Sequence, residues 1–195
     1  MNVIEDWQEK GPLSKFCRLV NTVVRDDCDG DKDTCILSAL TVCDVLNSLG
    51  ISISPIRVEA AVYPDDTNAP GVILGRIPNG DSPRKKASPD HWHGHLASIA
   101  CGHYLIDTTL DQIEIPNVIT YPCVVDLIKT LWFKEAKWET WTGLLRYSEN
   151  SVLRYTKFPR QNGWKSAPDY RLSHRIRLVE IIAALAKKKI PDLWP

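Results

Sequence analysis

No charge surplus marks this chain. Its 24 Lys and Arg balance 24 Asp and Glu, so global electrostatics provide no reason to expect nucleic acid or an acidic membrane as a partner. It lacks any CxxC pair, which argues against a ribbon or finger type of zinc site. Nowhere does an apolar run approach the ~20 residues that a bilayer-crossing helix needs. The opening "MNVIEDWQEKGPL" has neither the basic nor the apolar stretch of a secretion signal. Without such a signal, and with no repeated spacing, Cys17, Cys28, Cys35, Cys43, Cys101 and Cys123 read as reduced thiols, most of them buried as small apolar residues. No internal repeat and no linker divides the chain. The expectation from these absences is a soluble, cytoplasmic protein of one domain spanning residues 1–195.

What is present suffices for a core: 195 residues, 44% of them hydrophobic, can bury one without a second domain. Leu13, Phe16, Cys17, Val20, Val23 and Val24 recur at helical spacing and predict a first helix over residues 12–25. "DTCILSALTVCDVLNSLGI" predicts a second, buried on most sides, with Asp33 or Thr34 as its cap and Gly50 as its stop. "ISPIRVEAAVYP" reads as a strand. Residues 65–90 are rich in Pro, Gly, Asn, Asp and Lys and read as a long loop or flap, with a short apolar island at Val72 to Leu74. A hairpin about Cys101–Gly102 follows. Residues 123–147 carry an amphipathic helix pattern with Trp132, Phe133, Trp138 and Trp141, and "SVLRYTKFP" reads as a strand. A basic helix at about 174–189 closes the chain. Residues 151–195 hold ten Lys and Arg against three acids, which reads as a solvated helix face. Helices first and antiparallel strands after make an α+β arrangement, a buried helix packed on an antiparallel sheet.

The chemistry concentrates in "HWHGHLASIACGHYLIDTTLDQ", residues 91–112. His91, His93 and His95 alternate along a strand and share a face, which opens the reading of a metal-dependent hydrolase. The other reading starts from Cys35, in the first turn of the buried helix, where unpaired N–H groups and the helix dipole favour a thiolate. A thiolate nucleophile needs a base and a group that orients the base. With a two-residue turn at Cys101–Gly102, residue 107 lies opposite about residue 96, so His95 and Asp107 come within reach of each other. Cys43, two helical turns beyond Cys35, reads as packing.

These residues resemble a known group. "TCILSALTVCDVLNSLGI", "HGHLASI" and "YLIDTTLDQ", covering residues 34–56 and 92–112, look like the transglutaminase-like and papain-like cysteine-enzyme superfamily, whose triad runs Cys, His, Asp along the chain. The resemblance implies Cys35 as nucleophile, His95 as general base and then acid, and Asp107 as the orienting carboxylate. The chain departs from the pattern at Asp33, Leu96 and Asp29, where the group often has Gly, an aromatic residue and, in papain-type members, Gln. One oxyanion donor is expected from the Cys35 N–H, and a second from Asn21, Gln8 or Trp92. Trp92, His93 and Gln112 are the expected substrate contacts. The implied activity is a cysteine-dependent acyl transfer on a peptide-like amide, as a thiol protease, isopeptidase, amidase or deamidase, or amine acyltransferase, acting on a peptide or protein and requiring no cofactor. A third reading, a non-catalytic binding protein on the same fold, would use the basic C-terminal helix and the tryptophan cluster.

Overall fold

The computed structural model describes residues 11–29, 34–65, 71–75, 94–115, 118, 120–127, 131–134, 141–148, 150–157, 163–166 and 172–193. Helix α1 (Pro12–Asp27) begins with proline in its first turn, where a missing N–H costs nothing, and buries Phe16, Cys17, Val20 and Val24. Helix α2 (Cys35–Ser48) is buried along nearly its whole length. It ends in a Schellman motif: Gly50, at φ 77°, donates to the Asn47 carbonyl while Ile51 donates to that of Leu46. Helix α3 (Leu172–Lys189) buries Leu178, Ile182 and Ala186 and leaves Lys187, Lys188 and Lys189 exposed. No helix among the described residues is long and apolar enough to cross a membrane.

The strands are β1 (Ile53–Pro64), β2 (Val72–Leu74), β3 (His95–Ala100), β4 (Tyr104–Asp107), β5 (Cys123–Asp126), β6 (Leu131–Lys134), β7 (Trp141–Ser148) and β8 (Ser151–Lys157). They form one sheet in the order β5-β4-β3-β1-β8-β7-β6, with β2 paired to β1, and the strand pairings are antiparallel. The architecture is therefore α+β. Two expectations are corrected. The apolar island at Val72 to Leu74 is a strand rather than part of a loop, and the remainder of the expected flap, at 66–70 and 76–90, lies outside the described residues. Where the amphipathic pattern over 123–147 falls on described residues, it folds as β5, β6 and β7 and not as a helix; 128–130 and 135–140 lie outside the described residues. Short apolar runs such as Cys123–Val124–Val125 satisfy either period, and here pairing of β5 with β4 decides in favour of strand.

The sheet curls. β5 and β8 are four places apart in the strand order, about 19 Å along a flat sheet. Yet the Cys123 thiol and the Tyr155 hydroxyl are 3.3 Å apart. Closer to the opening, Tyr121 stacks on Tyr147 of β7, the two exchanging backbone and hydroxyl hydrogen bonds of 2.6–2.7 Å. Inside the curl sits a core that includes Val58, Ala60, Val62, Leu105, Val125, Leu153 and Tyr155. The three helices pack on the other face through Ala100, Ile106 and Val124.

The end of the sheet that matters for chemistry is where β2 stops and β3 starts on the same edge of β1. Leu74 pairs with Ala60 and His95 with Val58. Gly75 sits at this junction with φ 71°, and a Cβ there would lie 2.6 Å from the His95 nitrogen and 2.7 Å from the Val58 carbonyl oxygen. Both neighbours are backbone, so neither yields cheaply. Gly75→Ala should therefore lower stability by about 2 kcal/mol or more, from crowding and left-handed strain together. Thermal denaturation checks this, and an unchanged midpoint would mean that the junction is looser than drawn.

Candidate active site

The hairpin β3–β4 turns on three residues, not two. Cys101 (φ 51°) and Gly102 (φ 74°) both lie in the left-handed region, and His103 N–H donates to the Ala100 carbonyl at 3.1 Å. Ala100 then pairs with Tyr104 and Ser98 with Ile106, which sets Asp107 beside Ala97 rather than residue 96. One residue changes the face. In the two-residue register Asp107 would share a face with Leu96; in the observed one it shares a face with Ala97 and His95.

His95 Nε2 and Asp107 Oδ2 are 2.7 Å apart, at 1% and 0% side-chain exposure. A carboxylate only accepts, so Nε2 carries the proton and Nδ1 is the nitrogen left for another partner. Cys35 lies close enough to the imidazole to help raise it. The Cys35 sulfur also lies 4.0 Å from the Gly94 carbonyl oxygen. Cys35 is half-buried against a cluster of Ile36, Ala39, Leu40, Leu96 and Trp164. The three residues expected as a triad thus meet at one end of the sheet, where α2 begins.

The electrostatics follow from burial and pairing. Burial alone would push the His95 imidazole down. The Asp107 charge and hydrogen bond, with the Cys35 contact, outweigh it and raise the imidazole from its ordinary value to about 10. Burial would likewise raise Asp107, but His95, the Thr109 N–H (3.1 Å to Oδ1) and the Tyr155 hydroxyl (2.8 Å to Oδ2) hold the carboxyl below its ordinary value. Both shifts run in the direction that favours an imidazolium beside a carboxylate.

Helix α2 is pinned to β3 beside this pair. Ser98 donates to the Ala39 carbonyl at 3.1 Å, so the Cys43 thiol, 3.4 Å away, donates to the serine oxygen. Burial pushes the Cys43 thiol up to about 11, which suits packing and not nucleophilic attack. Thr34 occupies the N-cap of α2 without a side-chain cap bond, contrary to one expectation, and Asp33 lies outside the described residues. The first N–H groups of α2, starting with that of Cys35, have no carbonyl of their own helix to bond.

Other expected residues separate into three groups. His91, Trp92, His93 and Gln8 lie outside the described residues. Among the described residues no group of three His, Cys, Asp or Glu side chains could hold a metal ion. Asn21 is corrected as an oxyanion donor: its amide hydrogens go to the Thr108 carbonyl at 2.8 Å and to Asp111 Oδ1 at 3.0 Å. Asp111 in turn holds Arg25 at 2.7 Å. Gln112 lines a narrow crevice with Asn21, Arg25, Thr34 and Asp111, directly beside the residue that precedes Cys35. Its side-chain nitrogen is buried with no hydrogen-bond partner among the described residues.

Comparison with family models, with curated proteins and with solved structures finds no match to this chain. The site must therefore be argued from its own geometry. Two of its members were not legible beforehand. Tyr155 reaches Asp107 from β8, and Trp164, from a 3-10 turn at Gly163–Ser166, belongs to the cluster against which Cys35 packs. Neither carries a local signal, because both meet the site only through the curl of the sheet or the return of the chain.

The pair sets a pH dependence whose sign is fixed. His95 is raised on folding, so its contribution is complete below about pH 6.5 and is lost as the pH climbs through about 10. Asp107 is lowered, so its contribution is present above about pH 3.9 and is lost as the pH falls through its folded value. Asp107→Asn, which breaks the buried pair, should cost about 3 kcal/mol near pH 6. The gap to the unaltered protein should narrow as the pH is raised to 10. Denaturant titrations at several pH values read this, and an equal gap at pH 6 and pH 10 would show that the pair is not ionised.

Proposed function

We propose that the chain is a cysteine-dependent acyl-transfer enzyme of the transglutaminase-like and papain-like type, acting on a peptide-like amide. The observation that carries the reading is the buried His95–Asp107 pair, 2.7 Å apart, with Cys35 beside the imidazole. An imidazolium held protonated at neutral pH is the counter-charge that a thiolate needs. In the reaction, the Cys35 thiolate adds to the amide carbonyl, and the oxygen takes up negative charge beside the N–H groups that open α2. His95 delivers its Nδ1 proton to the leaving amine as the C–N bond breaks, leaving a thioester. Water or an amine, deprotonated by the now neutral His95, then attacks the thioester and releases the acyl group with the Cys35 sulfur restored. Asp107 keeps Nε2 protonated throughout, so the reactive nitrogen is always Nδ1. No cofactor enters these steps. Gln112, Trp92 and His93 are the proposed substrate contacts, Gln112 because its unpartnered amide lies in the crevice beside Thr34. A peptide or protein amide is the proposed substrate and the cytoplasm the proposed location.

Site-resolved alkylation by iodoacetamide, read by mass spectrometry, tests the nucleophile without knowledge of the substrate. Cys101 is exposed and serves as the internal reference thiol. At pH 6 Cys35 should react at least about tenfold faster than Cys101, which is the outcome the proposed thiolate–imidazolium pair requires. His95→Ala should bring Cys35 down to the reference rate. If Cys35 reacts no faster than Cys101 at pH 6, the proposal is wrong. With a substrate in hand, Cys35→Ala should lower kcat by about 10³ or more.

A further inference from the structure

The triad accounts for one donor on Asp107 and leaves a second unexplained. Oδ2 receives both His95 Nε2–H (2.7 Å) and the Tyr155 hydroxyl (2.8 Å), while Oδ1 receives the Thr109 N–H. Tyr155 is fully buried, and its ring is part of the core inside the curl. A phenol has one hydrogen to give, and a carboxylate has none. That hydrogen therefore goes to Asp107, and in the 3.3 Å contact with Cys123 the thiol donates to the phenol oxygen. The result is a relay of orientation, Cys123 S–H to Tyr155 O–H to Asp107, that runs from β5 across the curl to β8 and back to β4.

Resting on the thiolate–imidazolium reading above, we propose that Tyr155 is a positioning residue for the reaction: its hydroxyl fixes the Asp107 carboxylate and limits that group's pull on the His95 proton. The chemistry asks for such a limit. An orienting carboxylate that binds the imidazolium too strongly makes His95 a poor acid toward the leaving amine, and one with a free lone pair inside the core can turn away from the ring. Tyr155 addresses both, since it draws charge from Oδ2 and locks the carboxylate plane with Thr109 on the other oxygen.

The surroundings of Asp107 suit this role because, among the described residues, no other anion competes for its donors there. From α1 the Cys17 thiol points at the Asp107 backbone carbonyl at 3.4 Å, and from β5 comes Cys123. Burial raises both thiols, and it raises the Tyr155 and Tyr147 phenols as well, so all four stay neutral through the working range. Asp111, the nearest other carboxylate, is tied to Arg25. Among the described residues His95 is the cation paired with the group, and Cys35 lies close enough to the imidazole to help raise it.

Tyr155→Phe keeps the ring in the core and removes only the hydroxyl. A hydrogen bond to a charged acceptor is worth on the order of tenfold in that group's protonation equilibrium, about one pH unit. Cys35 alkylation should therefore lose its acid-side activation at a pH about one unit higher than in the unaltered protein. The His95 ring signals, followed by NMR in histidine-labelled protein, should titrate at a higher pH. A purely structural role would lower the melting temperature and leave both pH profiles where they were. His95→Ala, run alongside, separates the two ideas. If His95→Ala abolishes the fast reaction and Tyr155→Phe overlays the unaltered profile, the dyad stands and the role of Tyr155 is refuted. If His95→Ala changes nothing, the dyad itself fails. Should Tyr155→Phe not fold, tyrosine-labelled unaltered protein supplies the reading. A slowly exchanging, downfield Tyr155 hydroxyl proton coupled in space to the His95 ring supports the proposal, and its absence overturns it.

Discussion

A carboxylate with no solvent exposure has to be paid for by its neighbours, and Asp107 is the group around which this fold is arranged. Its donors come from β3, from β8 and from the backbone two residues on. No flat sheet brings β4 and β8 together, since β3 and β1 lie between them. The curl that brings the Tyr155 hydroxyl to Asp107 is the same curl that encloses the second core and lets Tyr121 stack on Tyr147. Satisfying one buried charge and closing the sheet are thus a single structural requirement.

Cys35, the proposed nucleophile, is held by a separate set of constraints. Helix α2 is buried on almost every side, stopped by Gly50 and fastened to β3 through Ser98 and Cys43. Cys35, at its start, has its sulfur 4.0 Å from the carbonyl oxygen of Gly94, the residue before His95. Gly75 supports the other partner, because only a residue without a side chain lets β2 end against the backbone of His95. Geometry of this kind, fixed by packing before any substrate arrives, is what positioned acid–base and nucleophilic chemistry relies on.

Four cysteines show how environment sorts identical side chains. Cys17, Cys43 and Cys123 are buried, their thiols pushed up, and each is engaged as a hydrogen-bond donor in the packing. Cys35 is only half-buried, and it lies near an imidazole that Asp107 raises above its ordinary value. The distinction rests on what each sulfur touches, and it gives the nucleophile reading its selectivity.

The sequence by itself determined the local elements and the order of the reactive residues. Helical spacing in α1 and α2, the stop at Gly50, the β-branched run of β1 and the Cys-then-His-then-Asp order were all legible, because each depends on residues close together in the chain. Residues 123–147 were misread as helical, since a short apolar run fits both periods until a partner strand is present. The register of β3 against β4 was misjudged by one residue, and that one residue decides whether Asp107 faces His95. Only the tertiary structure decided that Tyr155 completes the carboxylate's shell, that Trp164 joins the cluster under Cys35, and that Asn21 is already spent on Thr108 and Asp111. These hydrogen bonds join residues 48 to 90 positions apart, with no repeating pattern between them, and arise from the curl of the sheet and the return of the chain rather than from any local preference.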